Sequence, residues 1–176
     1  MRQTARCTQT GESVPNKNVI IALRLSKKSF FYREREYLCE LLFLMMTTEE
    51  KIKHWHGLSN EDLKVAEDLL SLKHFLYVAF MCHQSIEKIM KACYVKLNGD
   101  TPPFTHDLFL ISSKGGFYDI FSEEQKNFIH QLSPLNIRTR YPEYKDLIYK
   151  QLTQPICKQI LEQTIRLHQW ISEKLL

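Results

Sequence analysis

Glycine is scarce, at five in 176 residues, and proline is held to six. Such a chain has few of the residues that make tight turns cheap, and with the helical apolar periods described below this argues for an α protein. Long apolar runs are missing too. A membrane helix needs roughly 20 apolar residues. The best candidate, Leu38 to Met46, is short, contains Glu40 and lies too far inside the chain for a secretory signal. The five cysteines, Cys7, Cys39, Cys82, Cys93 and Cys157, are an odd set with no Cys-x-x-Cys pair. A disulfide framework is therefore not expected, and the cysteines read as reduced, buried thiols of a cytoplasmic protein. The chain also lacks a Gly-rich phosphate loop, a Gly-x-Ser-x-Gly elbow and a His-Glu-x-x-His pair. The seven histidines form no ligand cluster, so no metal and no cofactor is expected.

Charge is ordinary in amount and uneven in place. The net charge of +4 resides in residues 1–45, which hold eight Lys/Arg against four Asp/Glu; residues 46–176 hold sixteen of each. The larger part is neutral, so the basic total says little about nucleic acid, which needs a clustered basic face. Residues 1–45 show no sustained period of 3.6 or 2. They read as a leader: a mis-assigned start before Met45 or Met46, a disordered basic tail, or an extra N-terminal helix that pairs with the rest.

From Met46 onward the periods are helical. Thr47 and Glu50 make a capping box for a helix to about Leu72, with an apolar stripe through Ile52, Trp55, Ser59, Leu63, Ala66, Leu69 and Leu70. Gly57 suggests a break near 57–59, with Ser59 capping the second piece. A helix over about 74–97 buries Phe75, Ala79, Cys82, His83, Ile86, Ile89, Met90, Cys93 and Leu97, and Asn98-Gly99 stops it. Pro102-Pro103 holds a loop, Thr105 caps a short helix from His106 to about Ser113, and Ser122 with Gln125 opens another to about Leu132. Residues 133–142 read as irregular, and 143–151 as a short helix. Thr153 and Pro155 open the last helix, with a stripe through Ile156, Ile160, Thr164, Leu167, Ile171 and Leu175. The sum is an all-α, antiparallel up-and-down bundle of four to five helices over 46–176.

Several motifs along this bundle fall in a set order. Trp55 is followed by Asp62, Leu63 and Ala66. Then come Gln84, Glu87, Lys88, Lys91 and Ala92, a Pro-rich loop, and Thr105-His106-Asp107-Leu108. Arg140-Tyr141-Pro142 and a final helix carrying Trp170 complete the set. In this order and spacing the chain resembles the HEPN domain, named for higher eukaryotes and prokaryotes nucleotide-binding. The resemblance covers 46–176. It implies a helical bundle that is frequently a homodimer. It also implies a prokaryotic protein that acts beside a minimal nucleotidyltransferase, often as half of a toxin–antitoxin pair. Several HEPN lineages are metal-independent RNases that use Arg-x4–6-His. Here the windows that would hold the histidine read Glu143, Tyr144, Lys145 after Arg138 and Lys145, Asp146, Leu147 after Arg140. The RNase motif is absent.

Arg138, Arg140 and Tyr141 suit a phosphate clamp with base or ribose stacking; the competing reading is a loop arginine paired with Glu87 or Asp107. Gln84, Glu87, Lys88 and Lys91 share one side of a helix, either as a nucleotide pocket facing that loop or as a surface pair of Glu87 with Lys91. His106 opens a helix and can meet an anion there, or bond a neighbouring loop while Asp107 caps. His83 reads as a core histidine. By resemblance, Tyr141 or Tyr144 is also a site where a nucleotidyltransferase could place a nucleotide. The function expected from all this is nucleotide or RNA binding, or docking of a nucleotidyltransferase, without RNase catalysis. The alternatives are an RNase toxin with a divergent active site and a purely protein-docking dimeric module.

Overall fold

In the computed structural model, residues 43, 45–138 and 150–176 are described, without the side chains of residues 137 and 138. The chain divides after Leu44, and the unit Met45–Leu176 holds every element discussed below. The expectations for 1–42, for most of the helix at 143–151, and for Arg140 and Tyr141 lie outside the described residues.

The elements are α1 (Thr48–Ser71), α2 (Phe75–Asn98), α3 (Leu108–Lys114), a 3-10 turn (Tyr118–Ile120), α4 (Glu123–Leu132), the single turn α5 (Leu135–Arg138) and α6 (Gln154–Leu175). No strand occurs among the described residues, and no helix there is long and apolar enough to cross a membrane.

Local chemistry sets most of the boundaries. The Thr47 hydroxyl accepts the Glu50 N–H at 3.2 Å while Glu50 accepts the Thr47 N–H at 2.7 Å, satisfying two donors that the helix leaves open. Ser122 and Gln125 repeat the device at α4. Gly99 ends α2 at φ 67°, in the left-handed region that glycine enters cheaply. Gly115 is needed for a different reason: a Cβ there would lie 2.3 Å from the Phe117 ring, which is fully buried under it.

Several boundaries differ from those the sequence suggests. Helix α1 runs through Gly57 without a break, and Ser59 caps nothing. Its hydroxyl is fully buried and donates to the Ser85 carbonyl at 2.8 Å. The cap of α3 is Asp107, which accepts the Leu110 N–H at 3.2 Å; Thr105 instead accepts the Asp107 N–H at 3.1 Å. Residues 135–138, expected to be irregular, form a helical turn.

The core is built around α2. Val78, Ala79, Cys82, Ile86, Ile89, Met90 and Cys93 are all fully buried, so α2 is covered on most sides rather than along one stripe. Leu97, expected inside, is half exposed in its last turn. The three-residue link from Leu72 to His74 folds α1 back along α2. Cys157 near the start of α6 bonds the Phe75 carbonyl at the start of α2, and Lys96 bonds the Leu176 carbonyl at the opposite end. Helix α6 therefore runs parallel to α2 and antiparallel to α1, as alternate members of an up-and-down order do. Its buried positions are Cys157, Leu161, Thr164, Leu167, His168, Ile171 and Leu175, whereas Ile156 is exposed. Burial pushes the thiols of Cys82 and Cys93 up to about 12 and that of Cys157 to about 11, which leaves them poor nucleophiles.

Polar groups lock α6 against α1. His168 Nε2 lies 2.8 Å from the Ser59 hydroxyl, and the His168 ring stacks on His56 with centroids 6.0 Å apart. Because Ser59 donates to the Ser85 carbonyl, it accepts from His168, which fits a neutral imidazole with its hydrogen on Nε2. Burial, with His56 nearby, pushes His168 from its ordinary 6.5 down to about 4. The unfolded chain therefore binds this proton near pH 6.5 and the folded chain only near pH 4. Stability is whole above pH 6.5, falls as the pH drops and levels off below about 4. The loss is at most about 3 kcal/mol at roughly 1.4 kcal/mol per unit, less where solvent screens the ring. Urea unfolding across this range should show the slope in the native chain and a flattened one in His168→Gln. An identical slope in the variant would assign the proton uptake to another group.

Candidate functional site

Glu87, Lys88 and Lys91 follow one another at helical spacing on α2, but they point into protein rather than along an open surface. Glu87 is 3% exposed and Lys91 is 8% exposed. Buried charges need partners, and Glu87 gathers them. Lys91 Nζ donates to Glu87 Oε1 at 2.7 Å, and His106 Nδ1 lies 2.9 Å from Oε2. The His83 Nδ1 atom lies 3.8 Å from the same oxygen, while its Nε2 donates to the His106 carbonyl at 3.1 Å. The i,i+4 pair read from the sequence exists, then, as a buried pair with two histidines around it. The Lys91 ammonium also lies over the Trp55 ring, 5.1 Å from its centroid, so α1 closes one side of the cluster.

Lys88 turns the other way, to Asp62 of α1, and forms a close ion pair with it. Burial raises the Asp62 carboxyl while Lys88 acts against that rise. Gln84 is half-buried one turn before Lys88 and takes no part in the Glu87 bonds. Of the eight residues singled out in the sequence, the structure brings Glu87, Lys91 and His106 into direct contact. It sets Lys88 and Gln84 apart on the same helix. The Arg138 side chain, Arg140 and Tyr141 lie outside the described residues.

His106 differs from its partners in exposure. Its side chain is 53% exposed, although its Nδ1 and its carbonyl are both held. The loop before it is also pinned: Pro102 is buried and the Thr105 N–H bonds the Pro103 carbonyl at 2.8 Å. The open part of the site is thus an imidazole edge standing on a buried carboxylate. It can accept or donate a hydrogen bond, carry a proton, or meet a phosphate oxygen. No group of three or more His, Cys, Asp or Glu suited to a metal occurs among the described residues.

Two features escaped the sequence reading. One is Asp62, visible only as part of a motif, whose partner Lys88 lies 26 residues away. The other is a groove between α4 and α6, with cavities of about 240 and 210 Å³ that share Phe128 and Gln163. Trp170 lines one end, where it packs on Phe121 at 5.4 Å.

The helical bundle, with a histidine-bearing loop packed onto the buried charged cluster of its second helix, defines the class of protein. The model of the HEPN domain matches residues 52–175, and the chain belongs to the HEPN family. Membership supports a nucleotide- or RNA-related function of the HEPN kind. A solved structure, that of TT1696 from Thermus thermophilus, shares the fold at a TM-score of 0.62 and 18% identity, over 71% of this chain and 98% of that one. No curated protein matches the chain.

Removing the Glu87 carboxylate would leave Lys91 buried beside an aromatic ring without its counter-ion. Glu87→Ala should destabilise the fold by about 3–5 kcal/mol in urea unfolding. In a Lys91→Met background, the same Glu87→Ala substitution should cost less than half as much. Equal costs in both backgrounds would show that the pair is not coupled.

Proposed function

We propose that this HEPN domain binds nucleotide or RNA on the face where His106 meets α2. The observation that carries the proposal is the half-exposed His106 imidazole held at 2.9 Å by the buried Glu87. Side chains fixed before a ligand arrives lose little entropy on binding, and an imidazole edge is a good partner for phosphate or ribose oxygens. Arg138, Arg140 and Tyr141 contribute the phosphate clamp and the stacking ring in this reading. They rest on sequence alone, as do the contributions of Gln84, Lys88 and Lys91 to ligand contact. The family resemblance extends the proposal to a homodimer in the cytoplasm and to a minimal nucleotidyltransferase as partner, as in toxin–antitoxin pairs.

Trp55 lies beside Lys91 at the edge of this face, so its fluorescence is a natural reporter. Titrating the full-length protein with ATP, and separately with a short single-stranded RNA, should give a saturable signal for at least one of them. Arg140→Ala should weaken that binding about tenfold, the worth of one charge-assisted hydrogen bond. A flat titration with both ligands would leave the protein-docking module as the better account.

A further inference from the structure

A single apolar side chain at a protein surface is ordinary. Phe104 differs in how it is presented. Its area is 107% of the reference value, so its own chain covers none of it. The turn that carries it is nevertheless held on both sides. Pro102 before it is buried, and the Thr105 N–H after it donates to the Pro103 carbonyl at 2.8 Å. His106, two residues on, is tied down through its carbonyl by His83 and through Nδ1 by Glu87. A ring held out on a fixed turn loses little freedom when it docks. Aromatic anchors that fill pockets carry much of the energy of protein interfaces.

The groove between α4 and α6 offers the matching recess. Its larger cavity, of about 240 Å³, is walled by Phe128, Leu167 and Trp170. An apolar cavity of roughly 150 Å³ already takes up benzene, so a phenyl ring has room here. The charges around the two features are complementary. Exposed Asp100 and Asp107 flank Phe104 on its loop, and exposed Arg166 of α6 stands on the rim of the cavity. Glu124 stands on the α4 wall and repels the same two acids, which turns an incoming loop towards α6.

We infer that Phe104 docks into the α4–α6 cavity of a second copy of this chain, with Arg166 of that copy facing Asp100 and Asp107. The inference is independent of the ligand reading above. The surfaces that meet are unlike, so the contact is head-to-tail rather than the self-matching patch of a two-fold dimer. It brings the second copy alongside His106, whose loop carries the ring.

Two full-length variants separate the halves of the contact. Phe104→Ala removes the ring and keeps the cavity. Gln163→Trp fills the cavity, which Gln163 lines from a half-buried position, and keeps the ring. Fluorescein-labelled Gln163→Trp is titrated with Phe104→Ala, and each variant is titrated with itself, with anisotropy as the readout. The mixed pair alone has a ring facing an open cavity. Its Kd should be at least about tenfold below that of either variant with itself, the worth of burying one aromatic side chain. Adding Arg166→Glu to the Phe104→Ala chain should weaken the mixed pair a few-fold, and salt should shrink that step. A second measurement needs no cavity variant: p-benzoyl-phenylalanine placed at position 104 should cross-link on irradiation to Phe128, Leu167 or Trp170 of another chain. Equal Kd values for the mixed and self pairs would overturn the inference. So would cross-links that are absent, stay within one chain or land outside the groove.

Discussion

A carboxylate taken out of water in a helical bundle costs several kcal/mol unless cations and donors surround it. Glu87 imposes that requirement here, and much of the neighbouring geometry answers it. Lys91 must lie one turn further along the same helix and bury its stem to reach the carboxylate at 2.7 Å. Trp55 must cover the ammonium, which fixes the rotation of α1 against α2. His106 must reach in from the loop at 2.9 Å, which ties the α2–α3 connection to the middle of the bundle. Hydrophobic packing of Ile86, Ile89 and Met90 supplies more of the stability, but it is tolerant of small slips. The ionic cluster is not, because a displacement of an ångström leaves a buried charge poorly paired.

A second polar group works on the other side of α2 with neutral partners. Ser59, Ser85 and His168 are at most 5% exposed, and they are joined by bonds of 2.8 Å from Ser59 to the Ser85 carbonyl and to His168. This chain supports the orientation of α6. The apolar positions Leu161, Leu167, Ile171 and Leu175 set the inner face of α6. Seating His168 on Ser59 fits the rotation in which Cys157 and Leu161 go in and Ile156 is left exposed. The polar contact thus reinforces the face that the apolar stripe selects.

That distinction separates what the sequence reveals from what it hides. The caps at Thr47, Ser122 and Gly99 are local, each settled within four residues, and all are legible. The α3 cap is local as well, yet Thr105 and Asp107 both qualify by type. The choice falls on Asp107 because the tertiary bonds of His106 extend the loop by two residues. Ser59 is the reverse case. Beside Gly57 it looks like a helix start, but its hydroxyl is consumed by partners 26 and 109 residues away. Glu87, Lys91 and His106 are recognisable as a set through the family motif. What spacing cannot convey is that Lys88, in the same motif, turns to Asp62 instead.

The windows after Arg138 and Arg140 contain no histidine, so in this HEPN domain an open ionisable group has to stand elsewhere. Site chemistry needs one group that is both held and open, and holding demands burial at one end of a side chain whose other end meets solvent. Lys91 and Glu87 are held but closed, at 8% and 3% exposure, while exposed residues such as Phe104 are open without an ionisable group. His106 satisfies both conditions because its ring is long enough to span them, with Nδ1 on the buried carboxylate and more than half of its side-chain surface outside. The buried charge that constrains the bundle therefore also fixes the tautomer of the group that solvent, and any ligand, encounters first.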